Sequence, residues 1–276
     1  MSKYRLLAVD IDGTLSVPGQ EIHREVVESL KKCVKSGISV LLSTGKRFTN
    51  IRTLCERVGI EGPVITCNGA IVIDAGTQKI LFSHFLSKTV YSTIISTLEN
   101  DGRASMAVFT DCDIVCTSVN LASRVLNLIG EPTTRFVYSL LSLSSENVAK
   151  VLVAVEDPNA LRSVYDFYAH RHAKDCSITI TSDKFVEFMS IDASKGKALR
   201  SLAKSNGIMK QSIACIGDSD NDLSMFEIAG LSIAVANATP SVLQAADVVV
   251  PAASECGVIK AINNLILGET NGTGCW

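Results

Sequence analysis

The sequence predicts an α/β fold: a parallel sheet covered by helices on both faces, with a separate α+β unit inserted in its middle. Three observations carry that expectation. Short apolar runs alternate with helical patterns through the first and last thirds of the 276 residues, the grammar of strand–helix–strand units. Acid-rich turns follow two such runs, at Asp10 and at Asp218, and open α/β sheets bind ligands beyond the carboxyl ends of their strands. The two turns stand about 208 residues apart and meet only if both thirds share one sheet. The intervening chain must then leave and return.

Each element has a local reason. Residues 4–10 are short, apolar and end in a turn signal, which predicts a buried strand. Residues 21–36 place Val26, Val27, Leu30 and Val34 at helical spacing, with Gly37 where a C-terminal cap belongs. A second strand is expected over 38–42, a helix over 46–58 and a third strand over 63–66. Asn68-Gly69 then offers the favoured type I′ hairpin turn. In the last third, helices are expected over 195–206, 220–229, 240–245 and 257–267, with strands over 212–216, 231–235 and 248–250 and a frayed tail over 268–276. The middle differs. Strand-like pieces over 105–110, 151–155, 177–181 and 186–189 accompany helices over 88–100, 120–128 and 158–171. The expected division is therefore a core of residues 1–84 and 187–276, with an inserted unit at 85–186.

Composition narrows the function. With 47% apolar residues, a net charge of −2 and a pI near 6.1, the chain lacks the basic excess of a phosphate-gripping nucleic-acid binder. No uncharged apolar run reaches the ~18 residues of a membrane span, and the amino end shows no secretory signal. Nine cysteines, scattered and without a CxxC pair, read as buried thiols of a reducing cytoplasm.

Four clusters could carry chemistry. Asp10-Ile11-Asp12-Gly13-Thr14-Leu15 follows the first strand. The two-residue strand period sends Asp10 and Asp12 off the same side, and Gly13 permits a tight turn. Paired carboxylates at a buried strand end repel one another unless a cation sits between them. Ser43-Thr44-Gly45 ends the second strand and suits either an anion site or a helix cap. Lys195-Gly196 opens a helix, where a lysine opposes the helix dipole; a bound phosphate would explain it, and a solvated surface lysine is the other reading. Gly217-Asp218-Ser219-Asp220-Asn221-Asp222 sets oxygen ligands at another strand end, as a hard cation such as Mg²⁺ requires.

In this order the four clusters resemble the motifs of the haloacid dehalogenase (HAD) superfamily. The wide gap before Lys195 and the Asn68-Gly69 hairpin resemble its Cof-like phosphatases with a C2-type cap. The resemblance implies a Rossmann-like core and a substrate-selecting cap. It also implies a Mg²⁺-dependent phosphatase acting on a small phosphate ester, with a sugar phosphate expected. By position, Asp10 would be the nucleophile that forms an aspartyl-phosphate and Asp12 the general acid and base. Thr44 and Lys195 would hold phosphoryl oxygens, joined by the N–H groups of Ile11 and Gly45 and by Asn221. Asp10, the Asp12 carbonyl and Asp218 would hold the metal. Asp222, Asn68 and Gly69 would support the site. Lys46 stands where many relatives carry Arg after Thr-Gly, and Ile191-Asp192-Ala193 where relatives often have a Pro- or Gly-containing stretch.

Two other readings remain: a phosphomutase of the same superfamily, similar to phosphomannomutases, and a silent binding or regulatory module on this fold. The HxH spacing of His170-Arg171-His172 near Cys176 reads as a solvated helix end, and Cys112 and Cys116 as core packing.

Overall fold

A computed structural model of the chain describes residues 3–99, 101, 104–172 and 174–269. From the amino end the order is β1 (Leu6–Val9), α1 (Arg24–Lys35), β2 (Ser39–Leu42), α2 (Phe48–Val58), β3 (Pro63–Thr66), β4 (Ile71–Asp74) and β5 (Ile80–Ser83). The middle holds α3 (Lys88–Leu98), β6 (Ser105–Thr110), β7 (Ile114–Cys116), α4 (Leu121–Leu128), β8 (Arg135–Phe136), β9 (Val148–Ala154), α5 (Pro158–His172), β10 (Cys176–Ile180) and β11 (Phe185–Ser190). The last part runs α6 (Lys195–Ser205), β12 (Ile213–Gly217), α7 (Leu223–Phe226), β13 (Leu231–Val235), α8 (Pro240–Ala245), β14 (Val248–Val250) and α9 (Gly257–Lys260).

The core sheet has five parallel strands in the order β14-β13-β12-β1-β2. All four residues of β1 are buried, and they alternate between two apolar clusters. Leu7 and Val9 join residues of α1, α2 and α9, whereas Leu6 and Ala8 join residues of α6, α7 and α8. That alternation is why the strand reads as an unbroken apolar run: both faces are covered. The first and last thirds thus share one sheet, with β1 and β12 in register from Leu6↔Ile213 to Val9↔Ile216.

One strand departs from expectation. β3 touches the parallel sheet only through a single bridge, Ser43↔Ile65, and otherwise pairs antiparallel with β4, which pairs with β5. Pro63 opens β3 and has no N–H to extend the pairing with β2. The Asn68-Gly69 turn takes type I′ geometry, with φ of 54° and 93° and the Ala70 N–H donating to Cys67 O at 3.1 Å.

The middle forms a cap sheet of six strands, β10-β11-β9-β6-β7-β8, antiparallel except for β7 with β8. One face packs on α3 and α5. The other, with Phe109, Leu152 and Met189, packs on α4 and on Cys67, Ala70 and Ile71 of the core hairpin. Pairing continues to Ser190, opposite Cys176, so β11 straddles the expected seam at 186/187. The alternation that buries Val186 and Phe188 in one cluster and Met189 in the other holds the strand in the cap sheet beyond that point.

Helix ends also shift. α2 starts at Phe48 because Arg47 is extended (φ −75°, ψ 155°). The expected 220–229 helix is a 3₁₀ turn, Asp220–Asp222, running into the short α7. The last helix passes into a π-helical turn, Ala261–Ile266. Residues 270–276 of the expected tail lie outside the described residues. Among the described residues no helix is long and apolar enough to cross a membrane.

Candidate active site

Three clusters gather at the carboxyl ends of neighbouring strands. Asp10 follows β1, Ser43-Thr44 follow β2 and Asp218 follows β12. Lys195, the first residue of α6, joins the group from a buried position against Asp10.

The turn after β1 is wound around one carbonyl: Thr14, Leu15 and Ser16 all donate their N–H to Ile11 O. Gly13 sits at φ 84°, and a Cβ there would lie 2.3 Å from Asp218 Oδ2. A side chain at position 13 therefore has no room beside Asp218. The same closeness explains two other glycines. A Cβ on Gly69 (φ 93°) would lie 2.3 Å from Ser194 O, so the hairpin can press on the start of α6. A Cβ on Gly196 would lie 1.9 Å from Ser224 O, so α6 can press on α7.

Lys195 is 1% exposed, and its ammonium donates to Asp10 Oδ1 and to Asp222 Oδ1, each at 2.6 Å. Two carboxylates thus account for a lysine at a helix start. Burial pulls the ammonium down, but the charges of Asp10 and Asp222 more than reverse this and hold its pKa above the usual lysine range. Asp222 Oδ2 accepts the N–H groups of Asp218 and Ser219, at 2.9 and 3.1 Å, and so fixes the acidic loop. Asp218 accepts Thr14 Oγ1 at 2.6 Å and Ser219 Oγ at 3.0 Å.

Oxygens of Asp10, Asp218 and Asp222 lie within 4.8 Å of one another, all buried. It is the one such grouping among the described residues. Burial, more than any neighbour, raises the Asp10 pKa well above the carboxylate range; Lys195 opposes the rise, and Asp222 and Asp218 add to it. Burial likewise raises Asp218, helped by Asp222 and opposed by the Thr14 and Ser219 hydrogen bonds. Three buried carboxylates against one ammonium, with oxygen donors only, fit a hard divalent cation.

The remaining expected residues take varied places. Asp12 faces the same cavity as Asp10, but its Oδ1 pairs with Lys46 Nζ at 2.7 Å and stands outside the triad. Thr44 is 1% exposed and accepts the Lys46 N–H at 3.1 Å. It lies four residues before α2, so it is no helix cap. The N–H groups of Ile11 and Gly45 donate to no acceptor among the described residues. Asn221 donates to Asn68 Oδ1 at 3.0 Å, and its own Oδ1 is buried without a partner.

Several functional candidates were not legible as motifs. Asn68 donates to Glu187 Oε2 at 2.7 Å, linking the core hairpin to the cap. Lys150, also in the cap, donates to Glu187 Oε1 at 2.6 Å and to Gly45 O at 3.0 Å. The only advance signal was a charge inside an apolar strand, at Lys150 in β9 and at Glu187 in β11. Cap and core enclose a cavity of about 420 Å³ whose lining includes Asp10, Asp12, Thr44, Lys150 and Glu187. A hollow of similar volume, 430 Å³, at the amino ends of the core strands has only Arg5 and Glu61 as charged residues. Chemistry, not volume, separates the two.

The eight described cysteines are free, and Cys275 lies outside the described residues. His170 and His172 end α5 and belong to no ligand grouping among the described residues.

A parallel core with acids at its strand ends, covered by a separate cap sheet, defines a capped α/β fold with an acidic site. The family model for haloacid dehalogenase-like hydrolases matches residues 7–262, and the chain belongs to that family. It is 29% identical to a 5-amino-6-(5-phospho-D-ribitylamino)uracil phosphatase of Bacillus subtilis, over 96% of this chain and 99% of that one. It is also 29% identical to a phosphoglycolate phosphatase of Archaeoglobus fulgidus, over 96% and 98% of the two chains. A solved haloacid dehalogenase-like hydrolase from B. subtilis superposes with a TM-score of 0.85 at 26% identity, covering 95% of this chain and all of that one.

Proposed function

We propose that the chain is a Mg²⁺-dependent phosphatase of the cytoplasm that hydrolyses a small phosphorylated metabolite of the sugar-phosphate class. The observation that carries this reading is Lys195, buried between Asp10 and Asp222, with Asp10 and Asp218 of the same cluster on the lining of a cavity shared with the cap. The phosphatase relatives support the reaction class, and the free, mostly buried cysteines support a reducing compartment.

Asp10, Asp218 and the carbonyl of Asp12 would hold the ion. When bound, it supplies positive charge that offsets the repulsion between Asp10 and a phosphate dianion.

The residues divide the work as follows. Lys195 occupies Asp10 Oδ1, and Oδ2 takes no hydrogen bond among the described residues, so Oδ2 attacks phosphorus. The bond from phosphorus to the ester oxygen breaks as the new one to Oδ2 forms, and Asp12, which enters this step as the carboxylic acid, gives its proton to the departing alkoxide. Asp12 then takes a proton from water, which attacks the aspartyl-phosphate and releases phosphate with Asp10 restored. Thr44, Asn221 and the N–H groups of Ile11 and Gly45 orient the phosphoryl oxygens. Lys195 keeps its charge throughout, because two carboxylates hold its proton. The cap excludes water from the first step.

Phosphate release from p-nitrophenyl phosphate with Mg²⁺ tests the reading. The enzyme should turn over, and Asp10→Asn should lose more than about 10³-fold in kcat. An Asp10→Asn variant of near wild-type rate overturns the nucleophile assignment.

A further inference from the structure

Glu131 follows α4 in the cap and is 2% exposed. Its Oε1 accepts the Arg47 N–H at 3.2 Å and Asn50 Nδ2 at 2.6 Å, both from the core. Its Oε2 is buried with no hydrogen-bond partner, and the residue lines the cavity that holds Asp10 and Asp12. Buried carboxylate oxygens are rarely left without a donor, so Oε2 is open to one brought in by a bound molecule.

The surroundings say what kind of donor. Lys150 is committed to Glu187 and Gly45 O, with its ammonium 4.3 Å from the Phe109 ring centre. Lys46 is held by Asp12. The remaining lysine on the lining, Lys184, is exposed at the rim next to Asp183. Phe109, Leu126, Ile129 and Leu152 make neighbouring wall apolar. Glu187 is matched by Lys150 and Asn68, so the cap end of the cavity offers one carboxylate oxygen without a donor, on Glu131, beside apolar surface and with no uncommitted buried ammonium. It suits an uncharged group that donates hydrogen bonds and repels an anionic one.

We propose that Glu131 selects the leaving group: Oε2 accepts a hydroxyl of an uncharged polyol or sugar, and its charge disfavours a leaving group that carries a carboxylate. The inference rests on the phosphatase reading and deepens it.

The test compares kcat/KM of the full-length enzyme with Mg²⁺ on three kinds of ester. Glycerol 3-phosphate, ribose 5-phosphate and glucose 6-phosphate supply hydroxyls, 2-phosphoglycolate supplies a carboxylate, and p-nitrophenyl phosphate supplies neither. The best polyol phosphate should exceed 2-phosphoglycolate by at least about tenfold. Glu131→Gln keeps an oxygen for Arg47 and Asn50 but removes the charge, and should lower that ratio about tenfold, chiefly through KM. A wild-type preference for 2-phosphoglycolate, or an unchanged ratio in Glu131→Gln, overturns the proposal. The wild-type preference needs no variant, so poor folding of Glu131→Gln gives the idea no shelter. Hydrolysis of p-nitrophenyl phosphate without a polyol preference counts against Glu131 alone. No hydrolysis of any ester removes the phosphatase reading, and this inference with it.

Discussion

The core and the cap each bury one lysine almost completely, and the two are put to different use. Lys195 at the start of α6 is clasped by two carboxylates, both at 2.6 Å. Lys150 in β9 has one carboxylate, Glu187 at 2.6 Å, a carbonyl and an aromatic face. Burial pulls the Lys150 ammonium down, and Glu187 above all carries its pKa back above the ordinary lysine value. Both stay charged, yet only Lys195 touches a proposed reacting group. Lys150 ties cap strand to core loop through Gly45 O. A buried charge pair is therefore no evidence of catalysis by itself; what matters is whether it borders the acids at the strand ends.

Removing each lysine breaks the comparison open. Lys195→Met should lower kcat on p-nitrophenyl phosphate by ~10²-fold or more and cost about 3–5 kcal/mol of stability, because two buried carboxylates lose their cation. Lys150→Met should cost stability of the same order by denaturant unfolding, yet keep kcat on that small substrate within about tenfold. Equal kinetic losses would erase the distinction. Lys150→Met with Glu187→Gln should recover about half of the single variant's loss, since no uncompensated charge remains and Asn68 keeps an acceptor.

A gentler probe is pH. The folded-state pKa values of Asp10 and Asp218 are raised above ordinary carboxylates. The folded protein thus binds these protons more tightly than the unfolded chain. In the absence of Mg²⁺, stability should fall as pH climbs from about 4 through the raised values. The melting temperature in chelator should accordingly be lower at pH 7.5 than at pH 5, and Mg²⁺ should raise it more at pH 7.5. The smallest effect belongs to the Lys46–Asp12 pair, whose side chains are 20% and 33% exposed. Lys46→Ala should change stability by less than about 1 kcal/mol.

The core was legible because its constraints are local. An apolar strand followed by acids and Gly13 announces a tight turn, and Gly13 takes it at φ 84°, with Asp218 filling the place a side chain would need. Lys195 was legible as an oddity, a cation at a helix start, but its explanation lay 185 positions away in Asp10. The cap resisted because its polar residues act across strands. Glu131, Lys150 and Glu187 come from separate stretches; only the antiparallel register of β9 with β11 brings the last two together, and only the closeness of the hairpin brings Glu187 to Asn68. β3 misled for a related reason: its apolar pattern fits either sheet, and pairing partners decide.

Calorimetric titration of Mg²⁺ into the metal-free enzyme and its Asp218→Asn variant probes the acidic cluster itself. The wild type should bind one ion per chain, and the variant should show no measurable binding. A wild type that binds no ion, or a variant that binds as the wild type does, would contradict the proposed metal site.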